Sequence, residues 1–106
     1  MTTKAVTPEQ IDRVLNLAAK QAILMHRQWG RWRAVHRLLE HAASLLKQLA
    51  RQKPGSDYIR VAIDMNRYIR SLELVGKHVR PGLEKEVQRE VVRKVSDYRQ
   101  WVRQTR

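Results

Sequence analysis

The fold of this chain is decided by residues 11–49, IDRVLNLAAKQAILMHRQWGRWRAVHRLLEHAASLLKQL, where apolar side chains recur at spacings of three and four. That spacing is typical of one face of an α-helix. A strict seven-residue series runs through the whole stretch and comprises Ile11, Ala18, Met25, Trp32, Leu39 and Leu46. The sequence therefore predicts helix over nearly all of this stretch, with Gly30 as its one interruption.

Gly30 decides how the helical stretch is arranged. The apolar phase is the same on both sides of it, which favours one continuous helix bent at a glycine that costs about 1 kcal/mol relative to Ala. Such a helix, about 45 residues long, would measure roughly 65–70 Å. The alternative is a helix pair with a sharp corner. Trp29 and Trp32 lie on the apolar stripe, so we expect both to be largely buried.

A second apolar seam accompanies the first at the same heptad spacing and comprises Leu17, Leu24, Leu38 and Leu45. A helix that is apolar on two sides must meet two partners. A domain of about 100 residues also has a thin core. We therefore expect a homo- or hetero-oligomer rather than a lone monomer.

The helix starts carry recognisable capping signals. Thr7 followed by Gln10 three residues later is a capping box, and Ser56 is predicted to cap the third helix. Glu84 and Glu86 place negative charge at the positive end of the fourth helix, where it is favourable.

Two strong breakers, KPG at 53–55 and RPG at 80–82, divide the chain. They predict an all-α fold with four helical segments, in which a long bent helix or helix pair is followed by a helical hairpin. We expect one domain over 1–106, made of a basic helical element at 7–53 and the hairpin at 56–104.

The charge points to a polyanion as the partner. The chain carries 22 Lys and Arg against 10 Asp and Glu, a net charge of +12, and 15 of the basic residues are Arg. A charge this large destabilises a compact chain by self-repulsion. Arg is the better phosphate ligand because its planar fork of donors matches two oxygens. An anionic membrane surface, an acidic protein or a merely soluble basic surface are the alternatives.

The basic residues concentrate around Gly30, over residues 26–37, and on the last helix. A simpler interpretation of the C-terminal cations, which include Arg106, is that they complement the helix dipole. Eleven residues are the candidate phosphate contacts: Arg13, Lys20, Arg27, Arg31, Arg33, Arg37, Arg51, Arg89, Arg93, Arg99 and Arg103.

Other function classes find no support in the sequence. The chain has no cysteine, no HExxH motif and no phosphate-cradling Gly-rich loop. We therefore expect no enzyme, no cofactor or metal and no small-molecule substrate. No apolar run approaches the roughly 20 residues of a membrane span. The segment Met1–Lys4 does not begin a secretory signal, so we expect a cytoplasmic or nucleoid location, or the virion that the resemblance described below implies.

The bent basic helix over Pro8–Lys53 followed by the hairpin over Ser56–Arg106 is similar in layout to the DNA-wrapping major capsid proteins of filamentous archaeal viruses. In that family small α-helical subunits enclose a DNA duplex in a helical virion. The resemblance implies a self-assembling structural protein that coats double-stranded DNA without reading its sequence. The alternatives are a small DNA-binding regulator or plasmid accessory protein, and a helical-bundle adaptor that binds an acidic protein.

Overall fold

Four α-helices make up the protein in the computed structural model, which describes residues 5–105. They are α1 Pro8–Leu24, α2 Trp32–Gln52, α3 Tyr58–His78 and α4 Glu84–Gln104, with a 3₁₀ turn at Trp29–Arg31. The described residues contain no strand. The all-α class, the four segments and both predicted breaks are confirmed. The expectations for Met1–Lys4 and for Arg106 lie outside the described residues.

The helices form an antiparallel up-down-up-down bundle. Helix α1 packs beside both α2 and α4, and α2 packs beside α3. The direction of α2 is fixed at its end, where the Gln52 side-chain amide lies 3.2 Å from the backbone of Val6. The direction of α4 follows from Arg99, which bonds Asp12 near the start of α1. Helices α1 and α3 therefore occupy diagonal corners of the bundle.

Residues 8–52 form a helix pair, the second of the two arrangements that the sequence allowed. Helix α1 ends at Leu24 and the chain turns before α2. A continuous helix would exceed the longest dimension of the molecule, 47 Å. The apolar phase survives the corner because Met25 and Trp32, 0% and 4% exposed, enter the same core from its two sides. Conserved phase therefore did not require a continuous helix.

The core is apolar throughout its described part, and no polar or charged residue is buried. The second seam meets this core inside the chain, because Leu38 and Leu45 pack against it. Leu17 remains half exposed. Since α1 already has two helical neighbours, the bundle itself supplies the partners that the second seam requires. The seam is thus no longer an argument for an oligomer.

The helix ends follow the sequence in one case and depart from it in another. The Thr7–Gln10 capping box is confirmed, with both reciprocal bonds present. The predicted cap at Ser56 is wrong. Its hydroxyl donates to the carbonyl of Lys53 at 2.8 Å, and the residue before α3 is Asp57, whose side chain makes no capping bond. The hydroxyl is thus used to close the preceding turn.

The turn before α4 depends on one glycine. Gly82 has a φ of 93°, a left-handed conformation that side chains other than hydrogen disfavour. Its N–H donates to the carboxylate of Glu84 at 2.9 Å. Glu84 and Glu86 lie in the first turn of α4, so the prediction of an acidic helix start is confirmed.

Candidate nucleic-acid interface

The corner between α1 and α2 is held by its two tryptophans. The indole Nε1 of Trp29 donates to the carbonyl of Gly76 at 2.8 Å, and Trp29 is half-buried against the core. The ring of Trp32 lies against Gly76, where a Cβ would approach it to 2.3 Å. Burial is confirmed for Trp32 and is partial for Trp29. Both side chains are held in the fold, so neither is available to stack on a nucleic-acid base.

Arg31 is also part of the corner. Its Nε donates to Gln28 and its Nη1 to Gln21, each at 2.8 Å. These bonds tie the turn back to α1 and use donors that a phosphate would need. Arg33 differs, because it is exposed while its guanidinium stacks over the Trp32 ring at 4.9 Å. Stacking of this kind fixes the charge in place without neutralising it.

Six of the predicted contacts are exposed on the first helix pair and its turn, and we call them the α1–α2 basic face. None has a carboxylate within 4 Å among residues 5–105. On α1 they lie opposite the buried stripe, about 10 Å apart because seven residues make two helical turns. The face comprises Arg13, Lys20, Arg27, Arg33, Arg37 and Arg51.

Little negative charge opposes this face. Residues 5–53 contain nine Lys and Arg against three Asp and Glu. Of the three carboxylates, Asp12 is turned towards α4 and bound there, and Glu40 pairs with the His36 ring at 2.9 Å. The outer side of the helix pair is therefore strongly positive.

Most of the predicted phosphate contacts on α4 already pair with carboxylates of the chain. The carboxylate of Asp12 accepts from Arg99 at 3.1 Å and lies 3.4 Å from Arg103. Partial burial raises the pKa of Asp12, but these two guanidiniums outweigh it and hold the pKa below its ordinary value. Arg93 pairs with Glu90 at 2.9 Å on the surface. Arg99 and Arg103 therefore bind α4 to α1.

Arg89 alone of the α4 candidates is both exposed and without a carboxylate within 4 Å in the described chain. It borders a shallow groove between α1 and α4 together with Ile23 and Val92. The eleven predicted contacts thus divide into seven available cations and four, Arg31, Arg93, Arg99 and Arg103, that already have partners.

A second group of available cations lies on α3 and was not predicted from the sequence. Arg60, Arg67 and Arg70 are exposed, and none has a carboxylate within 4 Å among the residues described. They lie on the side of α3 opposite its buried stripe, which includes Ala62 and Met65. Their spacing of seven and three was a readable signal, because it marks one helix face.

Helices α3 and α4 pack less closely against each other than the other pairs of adjacent helices in the bundle. Part of the interface between them is closed by Tyr98, whose hydroxyl donates to Asp64 at 2.6 Å, and by Lys94, whose ammonium lies over the Tyr98 and Tyr68 rings. The bond from Tyr98, with help from Lys94, lowers the pKa of Asp64. Burial raises the pKa of Tyr68 to about 12. The Tyr68–Tyr98 pair therefore stabilises the packing of α3 against α4.

Towards the C-terminal end of α3, the interface between α3 and α4 opens into a groove of about 330 Å³. Its walls include the apolar side chains of Leu72, Val75 and Val87, and Glu86 and Glu90 stand among its lining residues. Carboxylates beside an apolar cleft repel phosphate, so the groove does not extend the basic faces.

No group of three or more His, Asp or Glu side chains within residues 5–105 is arranged to hold a metal ion. None of the described helices is long and apolar enough to cross a membrane. Comparisons with known protein families, with curated proteins and with solved structures find no match to this chain.

Proposed function

We propose that this protein binds nucleic acid through contacts between the α1–α2 basic face and backbone phosphates, without reading base sequence. The observation that supports the proposal is the set of six exposed, carboxylate-free cations on two adjacent antiparallel helices. Neutralising such cations with phosphates releases condensed counterions, which supplies most of the free energy of non-specific binding. It also relieves the self-repulsion of a chain with a net charge of +12.

The helix arrangement favours this function over a sequence-reading regulator. In a helix-turn-helix, two helices joined by a short turn cross at about 90–120° and the second enters the major groove. Here each helix lies antiparallel beside its neighbour, as the Gln52–Val6 and Arg99–Asp12 contacts show. A bundle that presents the broad sides of its helices is suited to the phosphate backbone.

Coating or packaging of double-stranded DNA by many copies is the finer form of the proposal. The likeness to filamentous capsid proteins was drawn from a long bent helix, and the helix pair gives a more compact layout. The half-exposed aliphatic side chains of α1, Leu17 and Ile23, support self-association. Light scattering at tens of micromolar protein tests it, and a monomeric mass would count against assembly.

The phosphate mechanism is tested by the salt dependence of binding to two unrelated duplexes of equal length. Four to six phosphate contacts predict a fall in affinity of about two to three decades between 50 and 200 mM salt. Both duplexes should respond alike. A flat salt response would remove the phosphate mechanism, and a thousandfold preference for one duplex would favour the regulator. Binding to polyglutamate but to neither duplex would favour the adaptor.

A further inference from the structure

We infer that one molecule bridges two nucleic-acid segments, one on the α1–α2 basic face and the other on a second basic face formed by Arg60, Arg67 and Arg70 of α3. The inference rests on the proposed nucleic-acid binding and adds to it a second site and a consequence. Bridging brings separate duplexes together, which is an activity of its own.

The α1 cations of the first face and the α3 cations point in opposite directions. Helix α1 contacts α2 and α4, and α3 lies across the bundle from it. Ile11 and Leu15 of α1 and Ala62 and Met65 of α3 are buried in the same core. The outer side of each helix is turned away from that core, so Arg13 and Lys20 face away from the α3 cations.

The carboxylates of α3 have closer partners than the α3 cations, although Asp64 interacts electrostatically with Arg67 from beyond 4 Å. Asp64 accepts from the Tyr98 hydroxyl and lies 3.5 Å from the Lys94 ammonium. Glu73 accepts from Lys77 at 2.9 Å. The three guanidiniums therefore have no carboxylate within 4 Å in the described chain, and the separation of ten positions between Arg60 and Arg70 extends the face by about 15 Å.

A single straight duplex cannot contact the α1 cations and the α3 cations at once. The bundle is 26 by 20 Å across, so a duplex touching both sides would have to bend around a body of about that size. The persistence length of DNA is about 150 base pairs, and even bends of 40–90° over a site of 20–30 pairs cost of order 1–6 kcal/mol. Three guanidiniums on the far side do not offset a full turn of that tightness. The second face therefore takes a second segment.

The half-exposed Ile59, Ile63 and Leu74 share the α3 outer side with the arginines. Aliphatic residues among cations are also found on helices that lie on anionic membranes. Single exposed aliphatic residues are ordinary on soluble proteins, whereas three unpaired guanidiniums on one helix face are a specific match to phosphates. We therefore assign the face to nucleic acid, and vesicle binding is one outcome of the test.

The test is capture of a fluorescent duplex by an unrelated duplex immobilised on beads, at 50 mM salt and with the protein limiting. The wild-type chain should capture it. The triple variant Arg60→Gln, Arg67→Gln, Arg70→Gln should still bind the immobilised duplex but capture at least tenfold less of the second.

The matched control removes three charges from α4 and the turn before it: Arg80→Gln, Lys85→Gln, Arg93→Gln. It should bridge as the wild type does, because Glu84, Glu86 and Glu90 already offset the charge of that helix. Circular dichroism and urea unfolding establish that both variants are folded.

Three results would overturn the inference. The first is bridging by the α3 variant at the wild-type level, which would assign bridging to oligomers with one face each. The second is binding of one duplex by the wild type without capture of another, which would leave the proposed function standing. The third is binding of the wild type to vesicles of anionic lipid through the α3 arginines without capture of a second duplex. Absence of binding to the immobilised duplex would refute the proposed function itself.

Discussion

The indole N–H of Trp29 donates to the carbonyl oxygen of Gly76 at 2.8 Å, and this bond satisfies a group that the helix itself leaves open. Gly76 lies in the last turn of α3, where carbonyls have no intrahelical donor. The neighbouring ring of Trp32 lies against the Gly76 backbone. The corner between α1 and α2 therefore caps the C-terminal end of α3, with a bond between residues 47 positions apart in the sequence.

Gly76→Ala should destabilise the protein by about 1–3 kcal/mol or more, because the added Cβ would meet the Trp32 ring at 2.3 Å in a packed core. The control is Gly30→Ala, whose Cβ would meet only the end of the Arg33 side chain, at 3.8 Å. We expect that variant to lie within about 0.5 kcal/mol of the wild type. Urea unfolding measures both, and equal effects at the two glycines would contradict the packing.

Asp12→Asn should cost about 1–2 kcal/mol at neutral pH, because Arg99 and Arg103 would lose the carboxylate that binds α4 to α1. The pKa of Asp12 is below 3.8 in the folded chain. Its contribution to stability is thus fully present above the unfolded value and lost as pH falls through the folded value. The stability of the wild type and of the variant should therefore converge as pH falls through the lowered pKa of Asp12. A gap that stays constant down to pH 2 would assign the effect to packing.

Arg27→Gln and Arg103→Gln should have opposite consequences although each removes one charge. Arg27 is exposed and has no carboxylate within 4 Å among residues 5–105, so its loss should lower the salt slope of duplex binding by about one and leave stability nearly unchanged. Arg103 lies 3.4 Å from Asp12, so its loss should lower stability and affect binding less. Measuring affinity and unfolding on both variants decides it, and two indistinguishable variants would argue against the division of the cations.

Tyr98→Phe should destabilise the bundle by about 1–2 kcal/mol, because it removes the 2.6 Å bond from the hydroxyl to the Asp64 carboxylate. Tyr68→Phe is the matched control, since the Tyr68 hydroxyl makes no hydrogen bond within the described part of the chain. Thermal unfolding of the two variants measures the difference. A larger loss at Tyr68 than at Tyr98 would contradict the assignment.

Sequence periodicity predicted the helix faces and their ends because these depend on local chemistry. Buried positions such as Leu39 and Leu46 are spaced for one face, and KPG and RPG interrupt the pattern. The corner at Gly30 was the less favoured of two predicted arrangements, because a bent helix and a helix pair both keep Met25 and Trp32 facing the core. Likewise the Ser56 hydroxyl had two acceptable roles, as a helix cap and as a donor in the preceding turn.

The candidate site was predictable only as a set of cations. Exposure of Arg13 and Lys20 follows from their position opposite the apolar stripe. The partnership of Arg99 with Asp12 joins residues 87 apart, and no local pattern reports such a contact. Which arginines stabilise the fold and which remain available is therefore a property of the tertiary structure.

The packing of α4 against the first helix of the chain has a consequence for the order of folding. Helices α1, α2 and α3 contact their neighbours in sequence, whereas α4 packs mainly on α1 and only loosely on the helix before it. Docking α4 on α1 closes a loop that contains α2 and α3. This adds little to the free-energy cost of folding, because closure entropy grows only with the logarithm of loop length. Non-local contacts do slow folding. This topology favours a kinetic intermediate in which α1, α2 and α3 are packed and α4 is not yet docked. The Asp12–Arg99 bond would form in the final step.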